Sequence, residues 1–327
     1  MEVQTDIYMR NQLFERKRRL ESAIRTTTDS RHLSHLLEEV DSALGRVEGG
    51  SYGLCEECHD PIEPERLLAD PLLRFCLDHL TQGERAALQD DLDLAARVQN
   101  ALLPKRHVTV RGWEFAYHYE PVGPVSGDYC DLVIPDGTSD GIFFLVGDVA
   151  GKGVAASMLM AHLHAMFRSL IAVGLPLVQL MERANHLFCE SAMAGSYATL
   201  VCGRAEQSGK IEISNAGHCP PLLLTDGAVK PIGAVGLPIG MFCTADYSSQ
   251  TFELKQGDGL LLYTDGLSEA SNRSQVSYGT QRLSTLLQSN GILVPRTVID
   301  ACLKDVVAFS EGVPRTDDLT IMVASKG

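Results

Sequence analysis

Three apolar runs in this chain each abut an aspartate: Ile142-Phe-Phe-Leu-Val-Gly-Asp148, Leu260-Leu-Leu-Tyr-Thr-Asp265 and Asp317-Asp-Leu-Thr-Ile-Met-Val323. Short runs of β-branched and aromatic residues bounded by glycine are buried strands, so the carboxylates sit where strands leave a core. Anions gathered there lose hydration and repel one another; they must be protonated, paired with bases or clamped on cations. The adjacent sequence offers few bases. Oxygen-only ligands suit hard divalent ions, Mg²⁺ or Mn²⁺, which favours phosphate chemistry over redox work.

At 327 residues the chain has room for one large domain and a smaller module. Its formal net charge of -14 disfavours nucleic acid and an anionic membrane surface as main partners. Residues 1–12 carry charge and no apolar signal core, and the longest apolar stretches are interrupted by Asp148, Lys152 or Gln179. A soluble, cytoplasmic protein is therefore expected. Nine cysteines without an export signal then read as thiols and metal ligands rather than a disulfide framework. Cys130, Cys189, Cys202, Cys219, Cys243 and Cys302 lie in or beside apolar stretches and are expected to be core thiols.

Three segments precede the large domain. Over residues 1–50, apolar residues recur at helical spacing from Ile7 to Ile24 and from Leu33 to Val47, with Thr26-Thr-Thr-Asp-Ser30 as turn and N-cap between them. The pattern is a helical hairpin, either packed on itself or offered to a partner. In residues 51–82, Cys55-Glu-Glu-Cys58 is followed after 17 residues by Cys76-Leu-Asp-His79, which presents two knuckles to one tetrahedral ion. Thiolates with one imidazole suit Zn²⁺, and four protein ligands leave no open position, so the site is structural. A segment this short buries too little core to fold without the metal. In residues 83–105, Leu88, Leu92, Ala95, Val98 and Leu102 step by three or four up to Pro104, an amphipathic linker helix that either packs on its own domain or forms a dimer seam.

Residues 106–327 alternate strands and helices. Trp113, Phe115, Tyr117 and Tyr119 repeat with period two and lead into the loop Pro121-Val-Gly-Pro-Val-Ser-Gly-Asp128-Tyr-Cys-Asp131. Helices are predicted over 154–170, 176–192 and 298–309, and strands over 197–202, 210–214, 222–224, 251–254 and 260–264. Clustered strands with paired helices between them indicate an α+β fold with a sheet-on-sheet core flanked by helices, not a doubly wound βαβ fold. Lys152, between glycines at a helix start, is placed to meet a phosphate; the alternative is a solvent-facing side chain. His218, in Asn215-Ala-Gly-His-Cys-Pro-Pro221, reads as a packing device at a strand-to-turn junction rather than a general acid.

Two resemblances sharpen these expectations. Gly50-Ser-Tyr-Gly-Leu-Cys55, Arg66-Leu-Leu-Ala-Asp-Pro71 and Cys76 resemble the DksA/TraR-type zinc finger, helical hairpin included, with His79 replacing the usual fourth cysteine. Ser126-Gly-Asp-Tyr-Cys-Asp131, Gly147-Asp-Val-Ala-Gly-Lys-Gly153, Asn215 to Pro221, Gly236-Leu-Pro-Ile-Gly240, Leu262-Tyr-Thr-Asp-Gly-Leu267 and Asp317-Asp-Leu-Thr-Ile321 resemble, in order, the motifs of SpoIIE/RsbU-like serine/threonine phosphatases of the PPM (type 2C) superfamily. The resemblance implies an α-β-β-α sandwich with two Mg²⁺ or Mn²⁺ ions. Asp148 would bridge them, with Asp128 and the Val149 carbonyl on one side, Asp265 and Asp317 on the other, and Asp318 beside them. Asp131 would be a supporting acid. The implied reaction is hydrolysis of a phosphoserine or phosphothreonine on an anti-sigma-factor antagonist, with a regulatory protein acting through the zinc module or linker helix. The rival reading is a vestigial phosphatase fold that regulates by binding, for example to RNA polymerase, through the zinc module; the four retained acids argue against it.

Overall fold

A computed structural model describes residues 2–26, 31–80, 82–135, 141–193, 195–290 and 294–327. The chain divides into two compact units, Met1–Asp91 and Leu92–Gly327.

In the first unit, α1 (Glu2–Thr26) and α2 (Arg31–Glu48) form the expected hairpin. The turn predicted between them falls, after Thr26, outside the described residues. Leu13, Val40, Ala43 and Leu44 close its core, and Tyr52 and Leu72 from the following module pack against them. Arg46 reinforces that junction by reaching Glu56 at 3.4 Å and the Leu72 carbonyl at 3.4 Å. A short helix, α3 (Pro64–Ala69), and a 3-10 turn, Leu77–His79, complete the module. The helix α4 (Gln82–Leu102) runs across the division between the units.

The second unit holds two antiparallel sheets. The first has the order β1 (His107–Val110), β2 (Trp113–Glu120), β11 (Leu319–Lys326), β10 (Gly259–Tyr263), β7 (Leu222–Thr225), β8 (Ala228–Pro231). The second runs β3 (Asp128–Val133), β4 (Ile142–Val149), β5 (Ala198–Ala205), β6 (Lys210–Ala216), β9 (Gln250–Glu253). Strand alternation explains why the runs are apolar throughout: both faces of each sheet are covered. In β4, Ile142, Phe144 and Val146 face the other sheet. Phe143 and Leu145 face α5 (Gly153–Val173) and α6 (Leu177–Ser191). In β10, Leu260 and Leu262 point inward, while Leu261 and Tyr263 meet α8 (Thr280–Asn290) and α9 (Pro295–Ser310). The result is the α-β-β-α sandwich. Its sequence-predicted strands and helices are present; β1, β3, β8, α8 and a one-turn helix, α7 (Asp265–Ser268), were not anticipated. Among the described residues α5 alone is long and apolar enough to cross a membrane, and its Met160, Leu163 and Phe167 lie in the core.

Asp131, on β3, is fully buried and takes two hydrogen bonds from Arg168 of α5, at 2.9 and 2.8 Å. It is a structural clamp between sheet and helix. Arg168→Ala would strand a buried carboxylate, so it is expected to cost about 3 kcal/mol. The matching fall in Tm is about 6–12 °C for a domain of this size, and Asp131→Asn in the same chain should recover part of it. Equal melting of Arg168→Ala and wild type would refute the clamp.

Candidate active site and metal centres

The two sheets bring the aspartates to one end of the sandwich. Asp128 opens β3 directly opposite Asp148 near the end of β4. It belongs to a strand, not to the loop the sequence suggested, because its backbone completes the ladder with β4. Asp265 begins the one-turn helix α7 (Asp265–Ser268) after β10, and Asp317 and Asp318 immediately precede β11, the neighbour of β10. A Cβ at Gly266 would overlap the Asp318 carbonyl oxygen, so glycine is what lets these two connections lie together.

The environments of the acids differ. Asp128 is 2% exposed, and its Oδ2 accepts hydrogen bonds from the hydroxyls of Thr264 at 2.9 Å and Thr320 at 2.5 Å. These threonines come from the other sheet and tie the two layers together under the acid cluster. Burial keeps the Asp128 carboxyl well above its ordinary range; the Thr320 hydroxyl opposes this and Asp148 adds to it. Asp148 is pushed up to about 7, first by burial and then by the charges of Asp265, Asp317 and Asp318. Asp265 is likewise raised, by burial and then by Asp317 and Glu269. Asp318, grouped with the metal-binding acids on sequence grounds, accepts the backbone N–H groups of Val122 at 2.7 Å and Gly127 at 3.0 Å. Both its oxygens pin the Pro121–Gly127 loop, a role its place in the sequence did not disclose.

That loop shapes a bare spot. A Cβ on Gly127 would stand 3.2 Å from the Val149 carbonyl oxygen and 3.4 Å from Asp148 Oδ1, so glycine leaves both oxygens facing the same gap. This cradle, the oxygen-only donors and the mutual repulsion of Asp148, Asp265 and Asp317 fit a hard divalent cation. Lys152, read from the sequence as either a phosphate contact or a solvent-facing side chain, donates to Asp317 Oδ2 at 2.9 Å and to the Thr316 carbonyl at 2.7 Å. Beside Asp317 opens a cavity of about 270 Å³ lined by Gly266, Glu269, Ser271, Ser277 and Arg315.

His218 is 6% exposed, with Nδ1 2.8 Å from the Thr199 hydroxyl and its backbone N–H donated to Asn215 Oδ1 at 2.8 Å. It packs at the strand-to-turn junction as expected. Burial pushes its pKa down to about 4. Between that value and the ordinary 6.5, the unfolded chain binds a proton that the folded chain refuses. Stability is therefore present above pH 6.5 and lost toward pH 4, by about 3 kcal/mol from this residue. His218→Gln should flatten that part of the stability profile; an unchanged slope in urea titrations would refute the assignment.

The first unit holds the tighter metal set. Cys55, Cys58, Cys76 and His79 bring one ligand atom each to within 4.8 Å of one another, with His79 Nδ1 3.3 Å from Cys76 Sγ. Burial opposes ionisation of Cys55, but backbone N–H groups around it prevail and hold its thiol down to about 6, ready to ligate. Three thiolates and an imidazole at this closeness suit Zn²⁺. Among the described residues this is the only group of three or more such side chains gathered so closely; the aspartates stand further apart, as mutually repelling anions do. Of the expected core thiols, Cys130, Cys202 and Cys302 are buried and Cys219 partly so. Cys189 and Cys243 correct the expectation: they are joined as a disulfide across 54 residues of sequence.

Comparison with known proteins agrees with this geometry. Residues 138–326 match the family model "Stage II sporulation protein E (SpoIIE)". Residues 50–78 match "Prokaryotic dksA/traR C4-type zinc finger", a match that stops one residue short of His79. Phosphoserine phosphatase RsbP of Bacillus subtilis is 30% identical over 183 residues, 54% of this chain and 45% of that protein. The chain spans about half the length of the curated relatives it matches. Among solved structures, the RsbU and RsbW domains of Rv1364c from Mycobacterium tuberculosis share 27% identity and a TM-score of 0.56, covering 68% of this chain and 61% of that one. The SiaA-PP2C domain of Pseudomonas aeruginosa, at 22% identity and a TM-score of 0.63 over 74% of this chain and 98% of its own, shares the fold. The chain thus belongs to the SpoIIE family of PP2C-type serine phosphatase domains, with a DksA/TraR-type zinc finger ahead of that domain.

Proposed function

We propose that the protein is a metal-dependent protein serine/threonine phosphatase that hydrolyses a phosphoserine or phosphothreonine monoester. The observation that carries this reading is the convergence of Asp148, Asp265 and Asp317 at one end of the sandwich, where burial first and then the charges of Asp265 and Asp317 raise Asp148 to about 7, with Asp148 Oδ1 and the Val149 carbonyl left bare by Gly127. Asp148, the Val149 carbonyl, Asp265 and Asp317 would hold two Mg²⁺ or Mn²⁺ ions, and a single Zn²⁺ would sit on Cys55, Cys58, Cys76 and His79. When bound, the pair of ions supplies an activated water and neutralises charge on the phosphoryl oxygens. Asp128, with Thr264 and Thr320, keeps the two sheet ends in register beneath these ligands. Asp318 holds the loop that keeps Gly127 in place. Lys152, on the rim, would turn from Asp317 to a phosphoryl oxygen once cations neutralise that acid, and the cavity beside Asp317 would take a side chain flanking the phosphoresidue.

The substrate we favour is a phosphorylated anti-sigma-factor antagonist in a partner-switching pathway, a reading supported by the family likeness. Regulation through the zinc module and linker helix has a local anchor. The Gln99 amide of α4 donates to the Ser126 carbonyl at 2.7 Å and accepts the Ser126 N–H at 3.0 Å, one residue from Gly127. Removing residues 1–82 is expected to change the rate on a phosphoserine protein when the regulatory partner is present, and Gln99→Ala to erase that difference. Equal rates with and without residues 1–82 would rule out this regulation. Phosphopeptide hydrolysis that persisted after removal of all divalent cations would rule out the catalytic reading.

A further inference from the structure

Cys189 and Cys243 stand apart from the other cysteines. Three of the nine are in the zinc cluster, and burial pushes the Cys219 and Cys302 thiols up to about 12. Cys243 is the only one with an exposed side chain, and Cys189 is partly exposed in the last turn of α6. Their Cα atoms lie 5.7 Å apart, inside the span a disulfide bridges without backbone movement. The segment that carries Cys243 is also held without sulfur. Asn185 of α6 donates to the Phe242 carbonyl at 2.9 Å and accepts the Gly240 N–H at 2.8 Å. Ile239 exchanges backbone hydrogen bonds of 2.8 and 2.9 Å with Ala198, which is paired in turn with Val149. The two thiols would therefore stay close when reduced, and closing the bond would clamp a segment that touches the strand next to the metal-site carbonyl.

We propose that Cys189 and Cys243 form a reversible redox-modification site, closed by a low-molecular-weight disulfide such as oxidised glutathione and reopened by the corresponding thiol. Cys243, the accessible partner, loses its proton to water, and its thiolate attacks one sulfur of the small disulfide, releasing one small thiol and leaving a mixed disulfide. The Cys189 thiolate then attacks the Cys243 sulfur and displaces the second small thiol. Two protein thiols are oxidised by two electrons and one small disulfide is reduced to two thiols, so the exchange balances. The opposite sequence restores both cysteines. Because the backbone and Asn185 contacts persist in either state, the fold survives reduction and the bond governs how often residues 237–246 open.

Full-length, zinc-loaded protein equilibrated in glutathione buffers of graded redox ratio tests this by peptide mapping after acid quench and alkylation. The Cys189–Cys243 peptide should appear in oxidising buffer and vanish in reducing buffer, with Cys130, Cys202 and Cys302 alkylated only after unfolding. Cys189→Ser should trap a glutathione adduct on Cys243. Amide exchange of residues 237–246 should slow about tenfold on oxidation in wild type and not in Cys189→Ser. A link that resists reduced glutathione, a link to another cysteine, an unmodified Cys243 in Cys189→Ser, or equal exchange in both redox states would each overturn the proposal.

Discussion

Replacing Asp148 with asparagine is expected to lower kcat on a phosphoserine peptide by about three orders of magnitude, the several kcal/mol that a metal clamp on a phosphoryl group supplies. The same substitution should make the metal-free protein more stable. Asp148 is raised from 3.8 to about 7 in the fold, so between those values the native state holds a proton that the unfolded chain has released. Stability is therefore highest at the acid end of that window and falls as pH rises through 7, where the native state must carry the burial cost of the charged carboxylate and its repulsion from Asp265 and Asp317. Asparagine removes that charge and should return on the order of 2–4 kcal/mol at pH 8 in buffer free of divalent ions. Mn²⁺ should then stabilise wild type and leave Asp148→Asn nearly unmoved. Urea titrations with and without Mn²⁺, beside the kinetic assay, measure both halves; an active Asp148→Asn, or one no more stable than wild type without metal, would contradict the site.

Stripping zinc from the first unit should have the largest effect on stability. The core between Cys55, Ile62 and Cys76 is too small to order the module by itself, whereas a structural zinc site supplies about 10 kcal/mol or more. A zinc-selective chelator is expected to abolish amide protection across residues 51–80 and to leave the melting of the second unit in place, since that unit has its own cores. His79 is exposed at the edge of the cluster, so its share can be isolated. His79→Ala should weaken zinc affinity and His79→Cys should restore it. If His79→Ala bound zinc as tightly as wild type, the fourth ligand would lie elsewhere.

The sandwich and its acids were largely legible because burial on both faces writes uninterrupted apolar runs, and each run adjoins an aspartate of the candidate site. The clustering of Cys55, Cys58, Cys76 and His79 was legible from spacing alone. What stayed hidden depends on partners distant in sequence. The strand β3 escaped because Asp128 and Asp131 break its apolar pattern, and their cost is met by Thr264, Thr320 and Arg168 from elsewhere in the chain. The edge strands β1 and β8 are four residues each, too short for a readable pattern: β1 offers the core only Val108 and Val110, and β8 is mostly exposed.

By itself the sequence determined which chemistry the chain could carry: oxygen donors at strand ends for hard cations, and sulfur with imidazole in paired knuckles for a soft one. Only the tertiary structure decided which neighbours each acid meets. Asp148 feels the charges of Asp265 and Asp317, Asp128 is buried against the Thr264 and Thr320 hydroxyls, Asp318 is tied to a loop, and Cys189 meets Cys243 across 54 residues. The physical reason is that residue type sets what a group can bind, whereas charge repulsion, burial and hydrogen-bond satisfaction depend on which groups the folded chain places beside it.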